Sequence, residues 1–182
     1  PMIVWIGFLT YNSIIVDRII GGTPAEAGLL VTIDSVTLAL GASQAGRISD
    51  IFDNRFVPLV LGHVAMGGGL TLMAVVSNLL PAAVGVAFIG FGFGVTLSLY
   101  RSIVTGLAPT ELRGGLVSVA ESFGRVTSSA TPIMMGAAVG LLVPTLGLAG
   151  AVRWTGIGVG VVTTVIGIGL LVVARAFRPT AT

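Results

Sequence analysis

The chain has 182 residues, of which 54% are hydrophobic and only 9% are charged, with a formal net charge of +2. A soluble domain carries about 25% charged residues, so this composition excludes a protein that covers its surface with charge in water. The chain has no cysteine and one histidine, which excludes thiolate and histidine-rich metal sites, and we expect no metal or other cofactor. The nine basic residues form no basic patch with interleaved aromatic residues, so nucleic acid is not an expected partner.

Six long apolar stretches follow one another, separated by charged residues or by proline and glycine. A helix needs about 20 apolar residues to cross the hydrocarbon core of a bilayer, where the backbone must satisfy its own hydrogen bonds. We therefore predict an all-α integral membrane protein, a six-transmembrane-helix bundle in a single membrane domain covering residues 1–182. The predicted spans are residues 2–16, 25–45, 56–76, 82–100, 116–143 and 155–177.

The arginines are distributed unevenly between the two sides of this bundle. Six belong to one side, namely Arg47, Arg55, Arg101, Arg113, Arg175 and Arg178. Only Arg18 and Arg153 belong to the other side. Cytoplasmic loops carry the excess of basic residues, so the C-terminus is predicted to be cytoplasmic, as is the N-terminus for an even number of spans. The expected location is the plasma membrane, with multiple spans in the lipid bilayer.

The first two predicted spans carry polar residues well inside the apolar run. Tyr11 and Asn12 lie near the middle of the first span, where they either contact a substrate or only join helices. Asp34 lies roughly 13 Å from the outer end of the second span, close to the bilayer midplane. A carboxyl in a span is costly and by default functional, so Asp34 is a candidate to bind a proton or a cationic substrate. The alternative is a carboxyl that only fastens neighbouring helices.

The fifth predicted span has a polar stripe at helical spacing. Glu121 and Arg125 are four residues apart, the spacing of an ion pair on one helix face. One interpretation is a self-neutralising pair that lowers the cost of insertion. The other is that Arg125 binds an anionic group or a carboxylate from an opposing part of the protein. Along the same span, Gly136 and Gly140 form a GxxxG pair, which is typical of close helix packing, as are the other glycine clusters.

The only histidine, His63, lies about seven residues into the third span. We interpret it as a packed or lipid-interface histidine rather than a proton relay. An intramembrane serine protease would use Ser43 as nucleophile and His63 as base, but Gln44 follows Ser43 where such an enzyme would need glycine. Enzymatic activity is therefore not expected.

Two loops resemble the cytoplasmic loops of the major facilitator superfamily. After the second span, Gly46, Asp50 and Arg55 match the glycine, aspartate and final basic residue of the family's signature loop. Three positions of that loop depart from the pattern, namely Ile51, Asp53 and Asn54. After the fourth span, the run from Pro109 to Arg113 and Gly114 is similar to the loop that leads into the family's eleventh helix.

The order of these loops matches helices seven to twelve of the family, which implies half of a major facilitator fold. The resemblance implies a secondary transporter of small organic molecules that works by alternating access, and we expect proton-coupled efflux first. An uptake carrier for a sugar or an organic acid is the alternative. The expected partners are the substrate, protons and the missing N-terminal six-helix half or, if the chain works as it stands, a second copy.

The resemblance also assigns roles to named residues. Asp34, Glu121 and Arg125 are candidates for substrate or proton binding, because helices eight and eleven of the family line its cavity. Tyr11 and Asn12 are further candidates as polar residues in the middle of the first span. Gly46, Asp50, Arg55 and Arg113 are the candidates for a gating loop. Asp50 would pair with an arginine or cap a neighbouring helix in one conformation, and its alternative is a solvated carboxylate. The chain begins at Pro1 inside an apolar run, and we expect it to be a fragment.

Overall fold

A computed structural model describes residues 1–107 and 109–176. The described part is helical, and five helices are long and apolar enough to cross a membrane. Phe177, the predicted end of the last span, lies outside the described residues, as does Arg178. The helices are α1 Met2–Ile15, which continues as a π-helical segment Val16–Ile20, α2 Pro24–Phe52, α3 Phe56–Val75, α4 Leu79–Leu107 and α5 Arg113–Ala176, with a short 3-10 helix at Thr110–Leu112.

The turn into α2 is built by local sequence. Gly21 adopts a left-handed conformation with φ of 74°, which ends the preceding helical segment. Thr23 and Glu26 form a capping box, in which the Thr23 amide donates to the Glu26 carboxylate over 2.7 Å and the Glu26 amide donates to the Thr23 hydroxyl over 3.3 Å. Pro24 at the first helical position has no N–H that would need a partner.

Two helices are longer than predicted at the end of the bundle that carries the α2–α3 and α4–α5 connections, which we call the arginine-rich end. α2 ends at Phe52 rather than at residue 45, so Gly46 and Asp50 are helical and not in a loop. α4 ends at Leu107 rather than at residue 100, so Arg101 is helical. The apolar runs end earlier than the helices, because a helix leaving the hydrocarbon exposes polar side chains while no proline or glycine stops it.

The predicted six spans appear as five helices because the last two are joined. α5 has 64 residues, which at 1.5 Å per residue is about 96 Å, three times the hydrocarbon thickness. Gly147 interrupts it with non-helical φ and ψ of 68° and 171°. The predicted connection over residues 144–153 is therefore wrong in length, because glycine makes the reversal at one residue. Arg153 donates to Ser77 over 3.1 Å, which places the break beside the α3–α4 connection.

α4 lies between α2 and α3, while α3 also packs against the part of α5 after Gly147 and α1 packs against the part before it. Glycines allow these close approaches, as predicted. A side chain at Gly94 would meet the backbone carbonyl of Leu38 on α2. Gly69 and Gly85 face each other across α3 and α4, so that a Cβ on Gly85 would lie 2.6 Å from the Gly69 carbonyl. No room is left for any other residue at these positions.

Candidate functional site

A cavity of about 550 Å³ lies between α4 and the first part of α5, at the arginine-rich end. Its volume falls in the range of about 300–1,000 Å³ that is usual for small-molecule sites. Apolar side chains of α1, α3, α4 and α5 supply most of its surface. The polar side chains on the wall are His63, Thr96, Tyr100, Arg101, Glu121, Arg125, Thr127 and Ser128. An apolar chamber with a few hydrogen-bonding groups is suited to hold a small polar solute.

An ion pair joins the two helices that border the cavity. An Arg101 guanidinium nitrogen lies 2.8 Å from a Glu121 carboxylate oxygen, and the side chains are 57% and 40% exposed. Of the two interpretations of Glu121 and Arg125, the self-neutralising pair is not formed in this structure, because the Glu121 carboxylate bonds to Arg101 of α4 instead. A pair this exposed stabilises a fold by about 0–1 kcal/mol at most, so its main effect is to hold α4 and α5 together in this arrangement.

Arg125 lies on the same cavity wall and is exposed. Among the described residues it has no hydrogen-bond or ion-pair partner. A guanidinium group presents five N–H donors and stays charged, so it can bind a carboxylate, a phosphate or several hydroxyl groups. The structure thus brings Glu121 and Arg125 together in one chamber.

Asp34 belongs to a different cluster, which lies away from the cavity wall. Its side chain is 1% exposed, and one carboxyl oxygen accepts a hydrogen bond of 2.9 Å from the Trp5 indole nitrogen. The Trp5 ring stacks on Phe93 of α4, with 4.8 Å between the ring centroids. The other carboxyl oxygen is buried and has no partner among the described residues. A buried carboxyl with one free oxygen suits proton or cation binding only if a further conformation opens a path to it.

Tyr11 and Asn12 are also buried, on the side of α1 that contacts the bundle. The Asn12 amide nitrogen donates to the Ala27 carbonyl of α2 over 2.8 Å. The Tyr11 hydroxyl lies beside Gly136 of α5. Neither residue lines the cavity, so this conformation favours the interpretation that both join helices.

The four gating-loop candidates lie at the arginine-rich end, although not in one loop. Gly46 and Asp50 are exposed in the last turns of α2. Arg55 precedes α3, and its guanidinium lies 3.5 Å from where a Cβ on Gly106 of α4 would be. Arg113 begins α5. The two interhelical connections of this end, α2–α3 and α4–α5, are therefore close enough for the Arg55 side chain to reach from one to the other.

The protease interpretation has no geometric support. The Ser43 hydroxyl donates to the Leu40 carbonyl over 2.8 Å. The Nδ1 atom of His63 lies 2.8 Å from the Leu59 carbonyl. Neither group bonds to the other, so no nucleophile is paired with a base.

Sequence reasoning missed two residues that shape these clusters. Arg101 was assigned to a loop because the apolar run stops at Tyr100. By its residue type Trp5 is one apolar residue of the first span, but its indole N–H needs an acceptor away from water, and Asp34 of the next span can supply one. The need of a buried polar group for a partner is the signal that connects Trp5 with Asp34.

The comparisons with known proteins agree with this architecture. The family model described as Major Facilitator Superfamily matches residues 2–182. Two curated proteins of Saccharomyces cerevisiae, hexose transporters HXT13 and HXT17, are each 32% identical to the chain over 92 residues. The match covers 50% of this chain and 16% of each relative, so the chain spans a small part of the relatives' length. No solved structure matches.

Proposed function

Because the chain belongs to the major facilitator superfamily, we propose that it is half of a secondary transporter that moves a small organic solute across a membrane by alternating access. The observation that carries the proposal is the cavity between α4 and α5, in which Arg125 has no partner among the described residues. A chamber with mostly apolar walls and a few hydrogen-bonding groups suits a protein that binds a small solute and releases it unchanged.

We propose that the chain crosses the membrane six times. Gly147 divides α5 into two helices, each long enough to span a bilayer. Consecutive crossings are then connected at alternating ends of the bundle. In this proposal the protein lies in the plasma membrane. Its arginine-rich end faces the cytoplasm, because cytoplasmic loops carry the excess of arginines.

The proposed solute is a sugar or a related hydroxylated molecule, and the proposed direction is uptake. Among the two alternatives, the names of the matched relatives favour a sugar carrier over an efflux pump. The cavity supports this choice, because its hydroxyl, guanidinium and carboxylate groups can all bond to solute hydroxyls.

Proton coupling is part of the proposal, with two carboxyl groups as its candidates. Glu121 lies on the cavity wall, where the Arg101 guanidinium neutralises it. Asp34 has one free carboxyl oxygen in the interior. Either group could exchange a proton with water when the bundle changes its access.

A second six-helix unit completes the transporter in this proposal, supplied by an N-terminal half or by a second copy. The first part of α5 supports it, because large apolar side chains there are exposed on the described surface: Val119, Phe123, Val126, Ile133 and Met134. Gly140, in the predicted GxxxG pair, has open space where its side chain would be. This face is suited to close contact with another helix.

The proposal is tested by uptake of radiolabelled D-glucose into membrane vesicles that contain the protein, with and without an imposed proton gradient. We expect saturable uptake that Arg125→Gln reduces at least tenfold, and gradient-driven uptake that Asp34→Asn or Glu121→Gln abolishes. Arg18→Gln, which changes an exposed arginine at the opposite end, is the matched control and should transport normally. Absence of saturable uptake of any sugar would overturn the substrate class.

A further inference from the structure

Two buried polar side chains on the cavity wall have no part in the function proposed so far. His63 of α3 is 6% exposed and Thr96 of α4 is 1% exposed, and both line the cavity. Gly62 precedes His63, and a side chain at Gly62 would meet the Thr96 hydroxyl. The two residues therefore occupy neighbouring positions where α3 meets α4 at the cavity.

The hydrogen bond of His63 fixes what its free nitrogen can do. Nδ1 lies 2.8 Å from the Leu59 carbonyl oxygen, which only accepts hydrogen bonds, so Nδ1 carries the proton. In the neutral ring, Nε2 is then an acceptor. Within the described residues, Nε2 has no hydrogen-bond partner. Nε2 of His63 is therefore a hydrogen-bond acceptor on the cavity wall, and the bond from Nδ1 to the Leu59 carbonyl holds the imidazole ring in place.

The hydroxyl of Thr96 is also without a partner. Other helical threonines here donate to the carbonyl four residues earlier, as Thr71 does to Gly67 and Thr164 does to Gly160. Thr96 makes no such bond, and its oxygen is buried without a partner among the described residues. Buried hydroxyl groups in native proteins nearly always have a partner, so this unpaired oxygen is available to a solute in a conformation in which α3 and α4 open to it from the cavity.

We propose that His63 and Thr96 form a hydroxyl-binding subsite, in which Nε2 accepts a hydrogen bond from a solute hydroxyl and Thr96 bonds to the same or the adjacent hydroxyl. The inference rests on the proposed transport of a sugar and assigns its specificity. An ionised carboxylate has no proton to give to Nε2, so this subsite selects an alcohol over an organic acid. Arg125, which also lines the cavity, is free to bond to the remaining oxygens of the solute.

The test measures uptake of D-glucose and of its singly deoxygenated analogues by the vesicle-embedded protein. We expect His63→Leu and Thr96→Val each to raise the KM for D-glucose about fivefold to tenfold, the effect of losing one neutral hydrogen bond. The KM for one deoxy analogue, which lacks the recognised hydroxyl, should be unchanged by both substitutions. His63→Gln and Thr96→Ser keep a polar atom at the subsite and should restore most of the affinity for D-glucose.

The outcomes separate this inference from the proposed function. An equal change in KM for every analogue, or no change for any, would overturn the subsite while leaving sugar transport intact. Failure of the unmodified protein to take up any sugar would overturn the proposed function itself. A folding defect lowers the maximal rate for all sugars alike, so the ratio of KM values between D-glucose and the analogue, also measured in the Gln and Ser variants, decides the case.

Discussion

The ion pair between Arg101 and Glu121 shows how much a single contact depends on tertiary structure. Sequence spacing offered Glu121 a partner on its own helix, four residues away. The structure gives it Arg101 instead, twenty positions earlier and on α4. Arg101 reaches it because α4 continues past the apolar run to Leu107. Helix length, which charge spacing does not report, therefore decided which arginine pairs.

Neutralising either partner should affect transport more than stability. We expect Arg101→Gln and Glu121→Gln to change the free energy of unfolding by less than about 1 kcal/mol, because both side chains are about half exposed. The link between α4 and α5 would be lost, and uptake measured without an imposed proton gradient should fall up to about fivefold, equivalent to that energy. Thermal unfolding in detergent and vesicle uptake measure the two effects.

The exchanged variant, Arg101→Glu with Glu121→Arg, provides the control for that prediction. It restores opposite charges across the two helices and should recover most of the uptake. If the exchanged variant transports as poorly as the single variants, the pair does not act by joining α4 to α5.

Residue types alone predicted part of the buried polar chemistry. A carboxyl near the midplane of the second span drew attention to Asp34 because charge in a bilayer is costly. Its partner Trp5 escaped prediction because aromatic residues are common in spans for their apolar surface. The sequence favours a packed or lipid-interface role for His63, and the structure places it on the cavity wall. Which polar group faces a chamber is set by helix rotation, which a single sequence does not reveal.

At the scale of the helix, three consecutive glycines of α3 serve different purposes. A side chain at Gly69 would lie against the Gly85 carbonyl of α4, and one at Gly67 would meet Thr164 and Gly160 of α5. At Gly68 nothing lies within 4 Å of the added Cβ. The run looks uniform in sequence, yet only two of its members are needed for contact.

This difference predicts opposite results for neighbouring substitutions. Gly69→Ala should destabilise the protein by about 1–3 kcal/mol, because the two backbones must move apart. Gly68→Ala, the matched control, should be neutral or stabilise by up to about 1 kcal/mol, since alanine favours the helix and meets no obstacle. Thermal unfolding of both variants measures the effect. Equal destabilisation by the two would show that backbone flexibility, rather than close contact, explains the glycines.

The division of α5 was only partly foreseen. Hydrophobicity and Pro144 predicted a connection near residues 144–153, which is the right region. The length was wrong because no run of polar residues is needed where a single glycine with positive φ reverses the chain. Proline itself does not end the helix here, since α5 continues through both Pro132 and Pro144.

Cysteine labelling tests the reversal at Gly147, and the 182-residue chain has no cysteine that would react with the label. We expect Thr145→Cys and Ser77→Cys to react with an impermeant maleimide from one face of the membrane, and Glu111→Cys from the other. Intact and inverted vesicles distinguish the faces. Labelling of Thr145→Cys from the same face as Glu111→Cys would contradict a crossing of the membrane before Gly147.

At the scale of the whole molecule, composition was the most reliable predictor of the fold class. Low charge and long apolar runs required helices in lipid, whatever the motifs meant. Two degenerate loops in the right order led to the family that the match over residues 2–182 establishes. The cavity was beyond prediction, because it depends on the gap between α4 and α5 and on helix ends that extend past the apolar runs.

The account as a whole requires that solute passes through this cavity. Ser128 lies on its wall, and cysteine there introduces a small reactive group into the chamber. Glu111, exposed at the same end and outside the cavity, is the matched control position. Both variants are made in the intact transporter and tested for D-glucose uptake before labelling.

The most direct measurement is the rate at which a charged methanethiosulfonate reagent modifies Ser128→Cys with and without D-glucose. We predict that modification abolishes uptake and that D-glucose slows it, while Glu111→Cys reacts at the same rate in both conditions and keeps its uptake. If Ser128→Cys is modified at a rate that D-glucose does not change, and uptake continues after modification, the cavity between α4 and α5 is not the transport site.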